Sequence, residues 1–438
     1  MCKYKTEIRS LLIPIVFVSA LADAAHDIVH LPAEPEPDPP GLVAQVGVER
    51  DDSGSTAHPG VSGEIANGRR VDLEGMSAYM NFVLGNDVVG YAFVINQDGM
   101  MAFQKAGGMA RTASDGALNM TVDTRTAIAS VTKNITAAAT IKALDMAGVS
   151  LDAAVSDYLP ADWVTGAGFS DNGVTFRQLL THESGLKQMF DAMSESDKPE
   201  WTNEWDGLQF IVSNGAMPGA SYAYKNANYA LMRVLVPRLW VLSGAGPVTP
   251  ITQANHAAIF LTFVSQYVLE PAGIFNTSCT ASSQFDQAYY YSFDFIEEGG
   301  NLAEYSLPAC GGTGGFRLSA MELARYLAHL EHSTNILTDA QRQAMDDGRL
   351  GWFPSASDDK LRKSGQYFAE YDLPGDGSGA GGVVLVPDGA TYRKETHACV
   401  MKLPQSVEVS LLVNSSKAGG GNFEPCDLIS SAFELYGG

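Results

Sequence analysis

The stretch TAIASVTKNITAAATIKAL, residues 126–144, reads as a helix with Ser130 and Lys133 at its mouth, three residues apart in an otherwise apolar segment. A lysine facing a core costs several kcal/mol unless it is paired or neutral. On a helix the two residues lie about 4.5 Å apart along the axis and on nearly the same face. The positive helix N-terminus favours a developing alkoxide at Ser130 and disfavours a charged Lys133. Partial burial pushes the lysine the same way, toward a neutral amine that can accept a proton. A serine nucleophile needs such a neighbouring base. The bland reading, a capping serine followed by a surface lysine, is common at helix starts. The rest of the chain has to decide between them.

Single motifs decide little. A second Ser-x-x-Lys runs from Ser357 to Lys360 in the polar SASDDK, with nothing to bury it, and a Tyr-x-Asn occurs at Tyr79 to Asn81 in an amphipathic helix pattern. Order is more informative. Ser130-x-x-Lys133 is followed by Tyr224-Lys225-Asn226 in MPGASYAYKNANYALMRVL, and then by Lys363-Ser364-Gly365 in LRKSGQYF. With these motifs and the blocks GYAFVINQDGMMAFQKAGGMA, VTFRQLLTHESGL and GGTGGFRLSAMELARYLAHL, the chain resembles the serine β-lactamase and penicillin-binding superfamily. The likeness is to the class C branch, with its related esterases and D-stereospecific peptidases, and covers most of residues 85–415.

The resemblance implies an α+β fold in which N- and C-terminal segments share one antiparallel sheet. Helices flank that sheet, and a mainly helical region, roughly 145–333, is inserted. It also implies roles. Ser130 would be the acylated nucleophile and Lys133 its proton partner, while Tyr224 would help activate Ser130 and protonate the leaving group. Asn226 would bond Lys133 or a substrate amide. Lys363, within Lys363-Ser364-Gly365, would hold a substrate carboxylate or steady the tyrosine. The backbone N–H groups of Ser130 and Gln366 would form the oxyanion hole.

Two departures stand out. Gln366 occupies a position usually small in the family, and the Gly-rich DLPGDGSGAGGVVLVPDGATYRK after it is longer than the usual hairpin connection. The expected activity is hydrolysis of an ester, amide or β-lactam through an acyl-enzyme. The alternative is a penicillin-recognising binding or sensor domain that deacylates slowly or not at all. His182 and Ser184 in LLTHESGL read as structural, a helix end followed by a glycine turn. No Gly-x-Ser-x-Gly elbow and no metal-ligand spacing occur, so neither an α/β-hydrolase nor a metal or cofactor is expected.

Composition sets the surroundings. The chain has 438 residues, 45% of them hydrophobic, and a formal charge of -22. That is enough to bury a sizeable core, and too acidic to favour nucleic acid or anionic membranes as partners. The implied partner is a small-molecule or peptide substrate with a scissile carbonyl. Lys3, Lys5 and Arg9, a short apolar run from Leu11 and small residues at 20–25 form a signal-peptide pattern, too short for a stable membrane anchor. The protein is therefore expected to be secreted or periplasmic. Residues 26–70 read as a Pro-, Gly- and acid-rich linker, with the hydrolase domain over 71–438. Export leaves Cys279, Cys310, Cys399 and Cys426 for disulfides, with three pairings possible. Nearness in sequence favours Cys279 with Cys310 and Cys399 with Cys426.

Overall fold

Strand β1 (Gly90–Gln97) is buried on both faces over nearly its whole length, which marks it as central. The computed structural model describes residues 71–437, except 170–172, 195–203, 303, 305, 353–366, 373–382, 386–390 and 420–423. Over 367–372, 383–385 and 391–393 it describes backbone alone. The expected signal peptide, the linker, and Lys363, Ser364, Gly365 and Gln366 lie outside the described residues.

The remaining strands are β2 (Met100–Arg111), β3 (Leu118–Asn119), β4 (Thr126–Ala127), β5 (Arg317–Leu318), β6 (Tyr367–Asp372), β7 (Val383–Leu385), β8 (Thr391–Arg393), β9 (His397–Leu403) and β10 (Val407–Val413). Five of them join β1 in one antiparallel sheet, in the order β3-β2-β1-β10-β9-β6. N-terminal and C-terminal segments thus meet at β1 and β10, with Tyr91 opposite Val413 and Gln97 opposite Val407. The β1–β2 connection turns on Asp98 and Gly99, both at positive φ (54° and 74°), the two-residue hairpin that Asp-Gly favours.

The helices are α1 (Leu73–Asp87), α2 (Thr132–Ala147), α3 (Phe176–Leu180), α4 (Leu186–Asp191), α5 (Trp205–Asn214), α6 (Asn226–Ala230), α7 (Met232–Leu242), α8 (His256–Val264), α9 (Ala320–His332), α10 (Asp339–Asp347) and α11 (Pro425–Tyr436). Strand alternation places α1 and α11 on one face of the sheet and α9 on the other. Tyr91, Phe93 and Ile95 of β1 and Val407, Val409, Leu411 and Val413 of β10 form one core with Met76, Met80 and Leu84 of α1 and Ile429 and Phe433 of α11. Tyr79 and Val83 pack against that core, as the periodicity of the first helix predicts. The alternate residues face α9, where Asn96 Nδ2 donates to Ala324 O (2.9 Å) and Ser410 Oγ to Ala320 O (2.7 Å).

Local signals start these helices. Asp72 caps α1 by accepting from Gly75 N–H at 2.9 Å, and its own N–H donates to Tyr436 O at 2.8 Å, so α1 and α11 are stitched together. Ser319 and Glu322 close a reciprocal capping box on α9. Two disulfides are present, Cys279–Cys310 and Cys399–Cys426, the pairing that sequence proximity favours. The second ties β9 to α11.

Candidate active site

Ser130 sits where the short β4–β5 ladder feeds α2. Ile128 N–H donates to Phe316 O at 2.9 Å, and the chain then turns through a 3-10 segment, Ala129–Val131, before α2 begins at Thr132. Ser130 therefore precedes the α-helix instead of occupying its first turn. The cause is Ala129, whose φ of 43° reverses the backbone and cannot be accommodated inside a right-handed helix. Strands β6 and β9 pack against this turn. Lys133, in the first turn of α2, is 5% exposed.

The three groups expected to do chemistry converge. Ser130 Oγ lies 2.6 Å from Lys133 Nζ and 2.8 Å from Tyr224 Oη, and Lys133 Nζ is 5.0 Å from the centre of the Tyr224 ring. Burial pushes the Lys133 amine well below the ordinary lysine range. A neutral amine has two N–H donors and one lone pair. One donor is accounted for by the main-chain carbonyl of Thr313, 2.6 Å away. In that neutral form the lone pair can take the Ser130 proton.

Thr313 belongs to Cys310-Gly-Gly-Thr-Gly-Gly315, a segment held from three sides. Cys310 is bonded to Cys279, Arg233 Nη1 donates to Ala309 O (3.3 Å) and Gly311 O (3.0 Å), and Thr136 Oγ1 donates to Gly312 O (2.9 Å). Gly312 is required here, because its φ is 66° and a Cβ would come 2.8 Å from Tyr229 O.

Tyr224 precedes α6 and rests on His182, with ring centroids 4.6 Å apart. His182 is 5% exposed; burial lowers its imidazole to about 3, which favours the neutral ring. Asn228 Nδ2 lies 2.9 Å from its Nδ1, and Ser184 Oγ donates to Asn228 Oδ1 at 2.5 Å. Asn226 opens α6, but the contact with Lys133 that the resemblance allows is not made, since the Thr313 carbonyl takes that role. Its Oδ1 is buried with no hydrogen-bond partner among the described residues, an acceptor that a substrate N–H could satisfy. Of the expected site residues, Ser130, Lys133 and Tyr224 are brought to one place; Asn226 follows two residues after Tyr224 at the start of α6, and Lys363 to Gln366 fall outside the described residues. Sequence reasoning did not single out the Thr313 carbonyl, and it gave His182 no position beneath the phenol.

Residues 76–421 match the Beta-lactamase family. The chain belongs to that family. It is accordingly a hydrolase of the serine β-lactamase and penicillin-binding superfamily. Solved structures with the same fold include the octameric penicillin-binding protein homologue from Pyrococcus abyssi, 20% identical over 83% of this chain and 76% of that one, with a TM-score of 0.55. EstCE1, described as a hydrolase with promiscuous acyltransferase activity, is 16% identical, with 82% and 99% of the two chains covered and a TM-score of 0.55. A D-stereospecific amidohydrolase from Streptomyces sp. is 15% identical, with 82% and 98% covered and a TM-score of 0.51.

Proposed function

We propose that the protein is an exported serine hydrolase that cleaves an ester, amide or β-lactam through an acyl-enzyme on Ser130. The observation that carries this reading is the hydroxyl of Ser130 held between a buried, proton-poor Lys133 amine and the Tyr224 phenol. In the first half-reaction Ser130 Oγ gives its proton to Lys133 Nζ and its electron pair to the substrate carbonyl carbon. The carbonyl π electrons move onto oxygen, where backbone N–H groups, Ser130's among them, receive the charge. As the tetrahedral intermediate collapses, the bond to the leaving atom breaks. That atom takes the phenolic proton of Tyr224, and the Lys133 ammonium restores the phenol. Water then attacks the ester on Ser130, gives its proton to the same amine, and regenerates the hydroxyl.

Neighbours described as a hydrolase with promiscuous acyltransferase activity and as a D-stereospecific amidohydrolase support a carbonyl substrate for this chain. Two disulfides and the basic, apolar, small-residue N-terminus support export. The acidic chain and the absence of a helix long and apolar enough to cross a membrane among the described residues are compatible with a partner that is only the substrate.

Labelling with a fluorophosphonate and with a fluorescent penicillin, read by intact mass, tests the assignment. Wild type should gain one adduct and Ser130→Ala none; equal labelling of both would sink the mechanism. Hydrolysis of a p-nitrophenyl ester and a chromogenic cephalosporin then separates a turning-over enzyme from a domain that stops at the acylated state.

A further inference from the structure

Tyr224 is placed by its neighbours in the chain, and those neighbours are gripped by one residue. His182 has a left-handed backbone, with φ at 58°. That conformation lets its main chain and its side chain address the same segment. Its carbonyl accepts from Ala223 N–H at 3.0 Å, and its ring Nδ1 accepts from Lys225 N–H at 3.3 Å. The residues on either side of Tyr224 are therefore both bonded to His182, and the imidazole lies beneath the phenol ring. A backbone N–H can only donate, so Nδ1 carries the lone pair and the proton sits on Nε2. Asn228 is consistent with that tautomer: its Oδ1 is taken by Ser184, so its Nδ2 is the atom that donates to Nδ1.

Resting on the serine-hydrolase reading above, we propose that His182 is a positioning residue for Tyr224. Through two main-chain hydrogen bonds and ring contact it holds the phenol on Ser130 Oγ, without taking part in proton transfer itself. The turn around His182 and Ser184 is then more than a chain reversal. Ser184, Asn228, His182 and Lys225 form a continuous polar path from the start of α4 to the residue after Tyr224.

The clamp makes a specific chemical demand. An acceptor is needed two bonds from Cβ, on a residue that tolerates positive φ. Asparagine meets both conditions, because its Oδ1 stands close to where Nδ1 does and it visits the left-handed region readily. Glutamine carries the same amide one carbon too far out, and alanine carries none. The test is the burst rate of p-nitrophenol release on acylation, measured with the full chain. His182→Ala and His182→Gln are expected to slow acylation about 10- to 100-fold, the scale of a misplaced catalytic group. His182→Asn should recover most of the rate. In a Tyr224→Phe background, which lacks the hydroxyl being aimed, His182→Ala should add no further loss.

The proposal is overturned if the losses from His182→Ala and Tyr224→Phe multiply, or if the Asn variant is as slow as the Gln variant. Should His182→Ala fail to fold, the Asn and Gln variants carry the comparison, with Tm measured on both to separate the reach of the acceptor from the cost of the positive φ. If wild type forms no adduct at Ser130, the hydrolase reading fails, and the clamp is judged by imidazole 15N shifts. These should show Nδ1 unprotonated and Nε2 protonated from about pH 5 to 8. A proton on Nδ1 rules the clamp out independently of any turnover.

Discussion

Burial of Lys133 favours the neutral form of its amine, and that opposes stability. In the unfolded chain a lysine keeps its proton up to about pH 10.4. In the folded chain burial brings the loss of that proton to a lower pH. Between the two values the unfolded state binds the extra proton, so stability falls as pH drops below about 10. Lys133→Met, which fills the site without a charge, should therefore raise Tm at neutral pH. It should also lower acylation of Ser130 by roughly 10²- to 10⁴-fold, the usual worth of a positioned base. Thermal unfolding and the acylation burst, run on the same preparation, check both signs; a lower Tm would contradict the argument. In wild type, acylation should rise with pH through a pKa well below that of an ordinary lysine. Ser130, Lys133 and Tyr224 were legible in the sequence because side chains of fixed type recur there in a fixed order. Thr313 was not, because it acts through its main-chain carbonyl, and a carbonyl is the same on every residue. Nor was the 3-10 turn at Ser130, which follows from one unusual φ at Ala129.

At the scale of elements, the join between α9 and the sheet is sensitive to pH. His332, in the last turn of α9, lies 2.6 Å from Glu408 of β10, a carboxylate 3% exposed. The hydrogen bond to Glu408, together with its charge, holds the imidazole above its ordinary value. Its contribution to stability is thus fully present below about pH 6.5 and is lost as pH rises through the higher folded-state pKa. His332→Gln should accordingly lower Tm by roughly 2–4 °C near pH 6 and by less near pH 9, a comparison that differential scanning fluorimetry resolves. The periodic elements could be read directly. Met76, Tyr79, Met80 and Val83 repeat with the helical period, and the MELARYLAHLEHS run does the same for α9. The pairing of β1 with β10 could not. Val407 to Leu411 alternates apolar and polar residues, which fixes the face each side chain takes but not which strand lies alongside or in what register. Helices as short as α3 and α6 carry too few turns for a periodic signal.

Over the whole molecule, the two disulfides have different consequences. Each closes a loop, of 31 residues for Cys279–Cys310 and 27 for Cys399–Cys426. By chain entropy such loops are each worth about 3–4 kcal/mol. Cys399→Ser with Cys426→Ser should lower Tm and change the acylation rate of the folded protein less, because both sulfurs lie in the core between the sheet and α11. Cys279→Ser with Cys310→Ser should lower Tm similarly and also slow acylation, since Cys310 starts the loop that presents the Thr313 carbonyl to Lys133. Equal acylation rates in the two double variants would show that the loop needs no such tether. The stitch between Asp72 and Tyr436 has a different kind of consequence. The order in which the polypeptide is traversed is separable from the folded body: a short Gly-Ser bridge joining residues 72 and 436, with new ends opened at the exposed Val248 between α7 and α8, yields a circular permutant. Such a rearranged chain should keep Ser130 as reactive toward the fluorophosphonate as in the native order.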